Sequence, residues 1–468
     1  MMGSMTLRSV AQAVSASFSG VDEPVLGLSM DSRSVGAGDL FAAIPGERVD
    51  GHDFVERAAQ QGAVAALVER PLTASIPCLE VADVRRALGD VAAENRRRYD
   101  GELVAITGSC GKTSVKNISR AIFSAAGATL ATRGNYNNEL GVPLTLARLD
   151  DRTRYAIVEM GATRRGDIAH LCDLAKPRIS TVLNAMEAHL SGFGSVAEVA
   201  QVKGEIFDGL GATGCAVING DEPWADAWEQ RARASGAATL SWSLTGPADL
   251  WVSDLQTRDL AGSAFTLHID GSALQVELPL PGRHNVANAL AAAGLAFAAG
   301  LAPDRIVAGL AQAEGEPGRM SVETLADGTV LIDDSYNANP GSVRAAIDFL
   351  TQRPGARTLV LGEMRELGDD SQQRHRDMGE AARAAGIDRF VGVGGALTEA
   401  VEAFGAGAQW YPSRDALEGE LDTVLAGSDT VLLKGSRGAA METLVDALRA
   451  AARGRAEQSA ASQESTSC

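Results

Sequence analysis

The sequence lacks three features that would indicate a membrane or secreted protein. None of the apolar runs in its 468 residues approaches the roughly 20 residues that cross a bilayer. The N-terminus carries no signal-peptide pattern. The five cysteines are scattered without paired spacing, which argues against a disulfide framework and against a zinc site. We therefore expect a cytoplasmic protein with no membrane insertion.

Positive charge is also scarce. The chain has 42 Lys and Arg against 60 Asp and Glu, a formal net charge of −18. This balance argues against binding to nucleic acid or to an anionic membrane surface. Any anionic substrate has to be met by positive charge gathered locally. The length predicts about three domains.

One short segment combines a strand, a glycine turn and the start of a helix. Leu103 to Thr107 is an apolar run of strand formers, and the glycines that follow allow the backbone to turn tightly. A helix that starts after such a turn directs free N–H groups and its positive dipole end toward one point. Lys112 would reach the β- and γ-phosphates, and the Thr113 hydroxyl would bind Mg²⁺. We predict a nucleotide triphosphate site formed by Gly108, Ser109, Cys110, Gly111, Lys112, Thr113 and Ser114.

This phosphate loop is a short form of the usual motif. Ile106 occupies the position at which the usual P-loop has its first glycine. The alternative is a glycine turn followed by a surface lysine. The strand before the turn and the helix after it favour the phosphate site.

The alternation of strands and helices divides the chain into three α/β units. Residues 1–100 predict a small α/β domain, and residues 101–315 predict a P-loop-type domain with a mostly parallel sheet. Within the second unit, the pattern from Thr239 to Leu280 predicts antiparallel strands. Residues 316–453 predict a Rossmann-like domain. Residues 454–468, rich in Ala, Ser, Gln and Glu, predict a disordered tail.

Glu159 ends the second buried strand of the central unit. Ligands of open α/β sheets bind at the carboxyl ends of strands, so we expect Glu159 near the phosphate loop and available to Mg²⁺. The alternative is a solvated glutamate at a strand end. His189 and Lys203 carry little signal on their own. A lone histidine is more often a packed or surface residue, and a lone helical lysine commonly pairs with a neighbouring carboxylate such as Glu205 or Asp208.

Three further runs stand out beside the phosphate loop. They are Gly134-Asn-Tyr-Asn-Asn-Glu-Leu-Gly-Val-Pro-Leu-Thr145, Gly282-Arg-His-Asn-Val-Ala-Asn288 and Asp333-Asp-Ser-Tyr-Asn-Ala-Asn-Pro340. Together with the loop, over residues of about 25 to 450, the chain resembles the Mur ligases, ATP-dependent amide-forming enzymes of bacterial peptidoglycan synthesis. The last run, with Leu361-Gly-Glu-Met-Arg-Glu-Leu-Gly368, His375 and Leu433-Lys-Gly-Ser-Arg437, resembles the family member that adds a dipeptide. The Asp-Asn-Pro-Arg run of the diaminopimelate-adding relative is absent from the sequence.

The resemblance implies an ATP- and Mg²⁺-dependent ligase that adds D-alanyl-D-alanine to UDP-N-acetylmuramoyl-tripeptide through an acyl phosphate. The first domain would hold the UDP end, the central domain ATP, and the last domain the dipeptide. We expect a monomer whose partners are these small molecules.

The resemblance also implies roles for individual residues. Ser32 and Arg33 would lie near the UDP end, and Asn135 and Asn138 would line the tripeptide groove. Asn285 and Asn288 would face adenine, Asp334 would face the ribose, and Arg319 would approach the phosphates after closure. The dipeptide would be bound by Lys434, Ser436 and Arg437. Glu159, His189 and a carbamate on Lys203 would complete the magnesium site with Thr113. The catalytic set would be Lys112, Lys203, His189 and Arg319. Helix and turn capping is the alternative role for the asparagines.

Two other functions remain open from the sequence. A folylpoly-γ-glutamate synthetase shares the fold, the ATP site and the acyl-phosphate chemistry, but it normally lacks a separate UDP-binding domain. The Asp-Ser-Arg unit in residues 6–100 weighs against it. A P-loop switch or motor protein would hydrolyse ATP without an acceptor amine.

Overall fold

The computed structural model describes residues 2, 5–46, 49–187 and 190–466. Within these ranges the chain forms three β-sheets flanked by helices. None of the described helices is both long enough and apolar enough to cross a membrane.

The first unit is a four-stranded parallel sheet whose strands pair in chain order. Alternate residues of its strands pack in two different hydrophobic cores. Leu40 and Leu67 belong to one core, and Phe41 and Val68 belong to the other. This alternation is the period of two expected of a strand covered on both faces. The strands are β1 Gly27–Ser29, β2 Asp39–Ala42, β3 Ala65–Val68 and β4 Cys78–Glu80, and the helices are α1 Leu7–Ala13, α2 Val55–Gln61 and α3 Val84–Arg97.

The central unit is a nine-stranded mixed sheet. Its strands are β5 Glu102–Thr107, β6 Thr129–Ala131, β7 Tyr155–Glu159, β8 Ile179–Val182, β9 Cys215–Asn219, β10 Ala238–Ser243, β11 Leu250–Thr257, β12 Ser263–Ile269 and β13 Ser272–Leu278. Their order across the sheet is β13-β12-β11-β10-β9-β8-β5-β7-β6. The mostly parallel sheet predicted from the sequence is confirmed. The antiparallel part begins later than predicted, because β10 pairs in parallel with both neighbours. Among the described pairs of this sheet, β11–β12 and β12–β13 are the antiparallel ones.

Helices cover both faces of the central sheet. They are α4 Lys112–Ser124, α5 Gly141–Leu146, α6 Asp167–Ala175, α7 Leu190–Phe193, α8 Val196–Gly204, α9 Ala225–Ala234, α10 Arg283–Ala298 and α11 Pro303–Leu310. On β5, Val104 and Ile106 belong to one core and Leu103 and Ala105 to the other. Burial on both faces is the physical reason for the continuous apolar run in the sequence.

The third unit is a six-stranded sheet with Rossmann-like alternation, as predicted. Its strands are β14 Ser321–Thr324, β15 Val330–Asp334, β16 Arg357–Gly362, β17 Arg389–Val393, β18 Ala408–Tyr411 and β19 Thr430–Lys434. The order is β14-β15-β19-β16-β17-β18, and all described pairs except β14–β15 are parallel. The helices are α12 Pro340–Thr351, α13 Ser371–Ala384, α14 Thr398–Phe404, α15 Arg414–Glu418, α16 Leu421–Leu425 and α17 Thr443–Thr466.

The end of the chain differs from the disordered tail expected for residues 454–468. Helix α17 continues through this segment to Thr466. Ala, Arg, Gln and Glu all have high helix propensity, so the same composition that suggested disorder can extend a helix that has already started at Thr443. Residues 467 and 468 lie outside the described part.

Gly309 allows α11 to lie very close to α4. A Cβ at this position would lie 2.5 Å from Cα of Ile122, so an added methyl group has to push the two helices apart. We expect Gly309→Ala to lower the free energy of unfolding by about 1–3 kcal/mol, measured by urea denaturation. Gly209→Ala is the matched control, since a Cβ there meets no neighbouring atom within 4 Å. Equal losses in the two variants would contradict this account of the packing.

Candidate active site

The carboxyl ends of strands from the central and third units face one cleft of about 1490 Å³. Loops after β5, β7 and β8 line one side, and loops after β15 and β19 line the other. Most residues predicted for the site line this cleft. They are Gly108, Ser109, Cys110, Gly111, Lys112, Thr113, Ser114, Asn135, Asn138, Glu159, Lys203, Asn285, Asn288, Arg319, Asp334, Lys434, Ser436 and Arg437.

Three predicted residues are not among them. His189 lies outside the described residues. Ser32 and Arg33 follow β1 in the first unit and do not line the cleft. Ser32 is buried, whereas Arg33 is exposed and pairs with Asp31 at 2.7 Å. A substrate that contacts both places has to extend from the cleft to the first sheet.

The phosphate loop requires glycine at its junction with α4. Gly111 has a φ of 84°, a conformation that favours glycine. A Cβ there would also lie 2.7 Å from Oδ1 of Asn288. Gly111 caps α4 without a side-chain hydrogen bond, so the first N–H groups of the helix remain available to an anion.

Asn184, which follows β8, holds the loop from the side. Its Oδ1 accepts a hydrogen bond from the N–H of Cys110 at 2.9 Å, and its Nδ2 donates to the carbonyl of Cys110 at 3.2 Å. Nζ of Lys112 donates to the carbonyl oxygen of Gly108 at 2.7 Å, so the lysine lies across the loop. Sequence analysis did not identify Asn184 as a site residue. Its position directly after a buried strand was the available signal.

Glu159 is buried, with 1% of its surface exposed, and three polar side chains surround it. Its Oε2 accepts from the Thr113 hydroxyl at 3.0 Å, and its Oε1 accepts from Nδ2 of Asn137 at 2.8 Å. Nζ of Lys116 lies 3.7 Å from Oε2. The structure thus brings Thr113 and Glu159 together, and it adds Asn137 and Lys116, which the sequence analysis had not singled out.

Lys203 on α8 is 2% exposed and forms neither a hydrogen bond nor an ion pair with the residues described. Burial lowers the pKa of Lys203 to about 7, and the charge of Lys112 contributes to that shift. The pairing with Glu205 or Asp208 considered above is not formed. Asp208 pairs with Arg231, and the Glu205 carboxylate accepts from backbone N–H groups at the start of α6.

Asp334 and Lys434 form an ion pair between the ends of β15 and β19. Nζ of Lys434 lies 2.5 Å from Oδ2 of Asp334 and donates to the carbonyl oxygen of Asn337 at 2.8 Å. Burial raises the pKa of Asp334, and the charge of Lys434 opposes that rise. The pair therefore joins a residue predicted for the ribose to one predicted for the dipeptide.

The first turns of α10 lie beside the phosphate loop. Nδ2 of Asn288 donates to Oδ1 of Asn285 at 3.2 Å, and Nδ2 of Asn285 donates to the carbonyl of Pro281 at 2.8 Å, which is a turn-capping contact. His284 lies edge-on to Phe349, with ring centroids 5.8 Å apart. Its Nε2 is buried without a partner among the described atoms. Burial lowers the pKa of His284 to about 4, so the ring is neutral near pH 7.

Two contacts join the central and third units next to the cleft. Nδ2 of Asn339, the residue that caps α12, lies 3.5 Å from Sγ of Cys110. Arg374 pairs with Glu187 at 2.5 Å. These contacts bring the phosphate loop against the start of α12, so ligands of both units share one enclosed space.

Models of three Mur ligase segments match successive parts of the chain. The Mur ligase family catalytic domain matches residues 24–96, the Mur ligase middle domain residues 106–296, and the Mur ligase glutamate ligase domain residues 318–437. The chain is 43% identical over 462 residues to UDP-N-acetylmuramoyl-tripeptide–D-alanyl-D-alanine ligase of Escherichia coli (strain K12), covering 96% of this chain and 99% of that protein. The chain belongs to the Mur ligase family.

Solved Mur ligase structures have the same fold. MurF from Acinetobacter baumannii is 34% identical, with a TM-score of 0.88 over 95% of this chain and 98% of that one. MurF ligase from Thermotoga maritima in complex with ADP is 27% identical, with a TM-score of 0.79 over 92% of this chain and 98% of that one. The Mur ligase prediction is confirmed.

The folylpolyglutamate alternative is a distant relative. A folylpolyglutamate synthase from Mycobacterium tuberculosis is 19% identical, with a TM-score of 0.61 over 76% of this chain. That likeness concerns the fold alone.

The contacts of Asn184 predict a role in shaping the nucleotide site. Asn184→Ala removes both side-chain hydrogen bonds to Cys110, and we expect about tenfold weaker Mg·ATP binding. The measurement is the rise in melting temperature on adding Mg·ATP. Asn95→Ala is the control, because this buried asparagine on α3 binds the carbonyls of Leu146 and Leu149 away from the cleft. It should lower stability and keep the ATP-dependent rise. An undiminished rise in Asn184→Ala would contradict the role.

Proposed function

We propose that this protein is an ATP-dependent ligase that joins D-alanyl-D-alanine to UDP-N-acetylmuramoyl-tripeptide. The observation that carries the proposal is the single cleft in which the phosphate loop faces Asp334, Lys434 and Arg437 of the third unit. The full-length similarity to an E. coli protein named for this reaction supports the choice of substrates.

The charge of the cleft suits these substrates. The chain as a whole carries −18, yet Lys112, Lys203, Arg319, Lys434 and Arg437 all line the cleft. ATP, the tripeptide carboxylate and the dipeptide carboxylate are all anions. The cleft therefore supplies the local positive charge that a strongly acidic protein needs for such ligands.

The residues present fit both ATP and Mg²⁺. The glycine junction at Gly111 leaves helix N–H groups free for phosphate, and the Thr113 hydroxyl and Glu159 carboxylate offer the oxygen donors that Mg²⁺ prefers. The described part of the chain has no group of three or more His, Cys, Asp or Glu side chains arranged to hold a metal ion. Mg²⁺ commonly keeps several waters, so few protein ligands are sufficient. When bound, Mg²⁺ neutralises charge on the phosphates.

The reaction needs an activated carboxylate. A carboxylate does not condense with an amine in water because hydroxide is a very poor leaving group. Transfer of the γ-phosphoryl group of ATP to the tripeptide carboxylate gives an acyl phosphate and ADP. The amine of D-alanyl-D-alanine then attacks the acyl carbon, and inorganic phosphate leaves as the amide forms.

The side chains of the cleft position the reactants and stabilise charge in this reaction. Lys112 lies across the phosphate loop and would neutralise charge on the transferring group. Arg319 would act on the same group from the third unit. Packing of the third unit over the loop would exclude water, which otherwise hydrolyses an acyl phosphate.

We further propose that Lys203 is carbamylated. A free ammonium group would repel Mg²⁺, whereas a carbamate supplies two anionic oxygens. Carbamate formation with CO₂ needs a neutral amine, and burial lowers the pKa of Lys203 to about 7. The absence of any described carboxylate partner leaves the amine free to react.

The reaction class predicts strict substrate dependence. Phosphate release should require both UDP-N-acetylmuramoyl-tripeptide and D-alanyl-D-alanine, with one ADP formed per amide bond. The measurement is phosphate release with each substrate omitted in turn, together with detection of the ligated product. Rapid phosphate release with neither substrate would contradict the proposal and favour a P-loop switch.

The carbamate predicts chemical rescue at one lysine. Lys203→Ala should be nearly inactive, and a short carboxylate such as acetate at high concentration should restore part of the rate by replacing the missing anion. Lys203→Arg is the control, because its guanidinium cannot be carbamylated and fills the space that acetate would need. It should remain inactive with and without acetate. Full activity of Lys203→Ala without any additive would end the carbamate hypothesis.

A further inference from the structure

Tyr336, in the segment after β15, contacts two arginine side chains in the cleft. Cζ of Arg319 lies 4.0 Å from the centroid of the tyrosine ring, and Cζ of Arg437 lies 5.4 Å from the same centroid. Both distances are inside the roughly 6 Å within which an aromatic face attracts a cation. One ring therefore serves two cations from different segments of the third unit.

Arg319 depends on the ring more than Arg437 does. Within the described part of the chain, Arg319 forms no ion pair, and its Nε is buried without a hydrogen-bond partner. Arg437 pairs with Glu442 at 3.1 Å. A partly buried guanidinium without a carboxylate is unfavourable. The Tyr336 ring offsets part of that cost.

Backbone hydrogen bonds fix the two segments that carry Tyr336 and Arg319. The N–H of Tyr336 donates to the carbonyl oxygen of Gly318 at 3.0 Å, and the N–H of Gly318 donates to the Asp333 carboxylate at 3.0 Å. The same carboxylate accepts from the Ser335 hydroxyl at 2.6 Å. Because both backbones are held, the ring limits the positions open to the Arg319 guanidinium.

The two arginines belong to different sides of the proposed reaction. Arg319 lines the same cleft as the phosphate loop, from the side of the third unit. Arg437 follows Ser436 in the segment after β19, the one proposed for the dipeptide. Tyr336 thus lies between the residues proposed for phosphate and those proposed for the dipeptide.

We propose that Tyr336 is a positioning residue whose single ring holds Arg319 for the ATP phosphates and Arg437 for the dipeptide carboxylate. This inference rests on the function proposed above. The contact uses the face of the ring and not the phenolic hydroxyl. Phenylalanine should therefore replace tyrosine at this position, and an aliphatic side chain of similar size should not.

The test compares Tyr336→Leu with Tyr336→Phe in steady-state ligation. In Tyr336→Leu we expect KM for ATP to rise about 3- to 30-fold, and KM for D-alanyl-D-alanine to rise about 2- to 5-fold because Arg437 is more exposed and farther from the ring. KM for UDP-N-acetylmuramoyl-tripeptide should stay unchanged. All three values in Tyr336→Phe should remain within about twofold of the wild type. Equal losses in Tyr336→Phe and Tyr336→Leu would overturn the inference, and so would a parallel rise of all three KM values with a lower melting temperature.

A double-mutant cycle tests the link to Arg437. Arg437→Gln should raise KM for the dipeptide in the wild type and add little in Tyr336→Leu, because the ring and the guanidinium act as one unit. Additive effects of the two substitutions would overturn the dipeptide part of the inference.

A binding measurement separates this inference from the proposed function. The rise in melting temperature with Mg·ATP needs no turnover, and it should be smaller in Tyr336→Leu than in Tyr336→Phe. Wild-type protein that shows no dipeptide-dependent turnover would overturn the proposed function together with the dipeptide part. The inference alone would be overturned if the wild type turned over normally and the two variants, Tyr336→Leu and Tyr336→Phe, had the same KM values and the same rise in melting temperature with Mg·ATP.

Discussion

Crowded positive charge in the cleft is the constraint on which the arrangement of the site depends. Lys203 is buried in the cleft and Lys112 is half-buried there, and loss of solvation lowers the pKa of both. The carboxylates of Glu159 and Asp334 lie in the same cleft, where each already has polar partners of its own. Like charges in a poorly solvated cavity repel strongly. An anionic ligand would relieve that repulsion.

The sheets follow from the sequence where burial is continuous. Buried parallel strands carry uninterrupted apolar runs, and for that reason the sequence predicts strands that end at Thr107 and Glu159, which are β5 and β7. Sequence patterns that are compatible with two kinds of local structure were less informative. Alternating residues after Thr239 suit parallel and antiparallel strands alike, and Ala-, Gln- and Glu-rich residues after Gly454 suit both a tail and a helix.

The site was predicted as far as local chain geometry determines it. The glycine turn followed by Lys112 and Thr113 is a contiguous motif, so adjacent residues in the sequence are sufficient to predict the conformation of the phosphate loop. The contact between Asn184 and Cys110 joins residues 74 positions apart, and the contact between Asn137 and Glu159 joins residues 22 positions apart. These contacts depend on β8 lying beside β5 and on β6 lying beside β7 in the sheet, an order that no local pattern specifies.

Lys203 and Arg319 show two different responses to the same charge constraint. Each lies in the cleft without a carboxylate partner in the described part of the chain. An amine with a lowered pKa can lose its proton and react, so Lys203 can exchange its positive charge for the negative charge of a carbamate. A guanidinium keeps its proton at any physiological pH, so Arg319 needs a neutral surface that tolerates a cation, and the Tyr336 ring provides one. The chemistry of each cation thus determines which of these two responses is open to it.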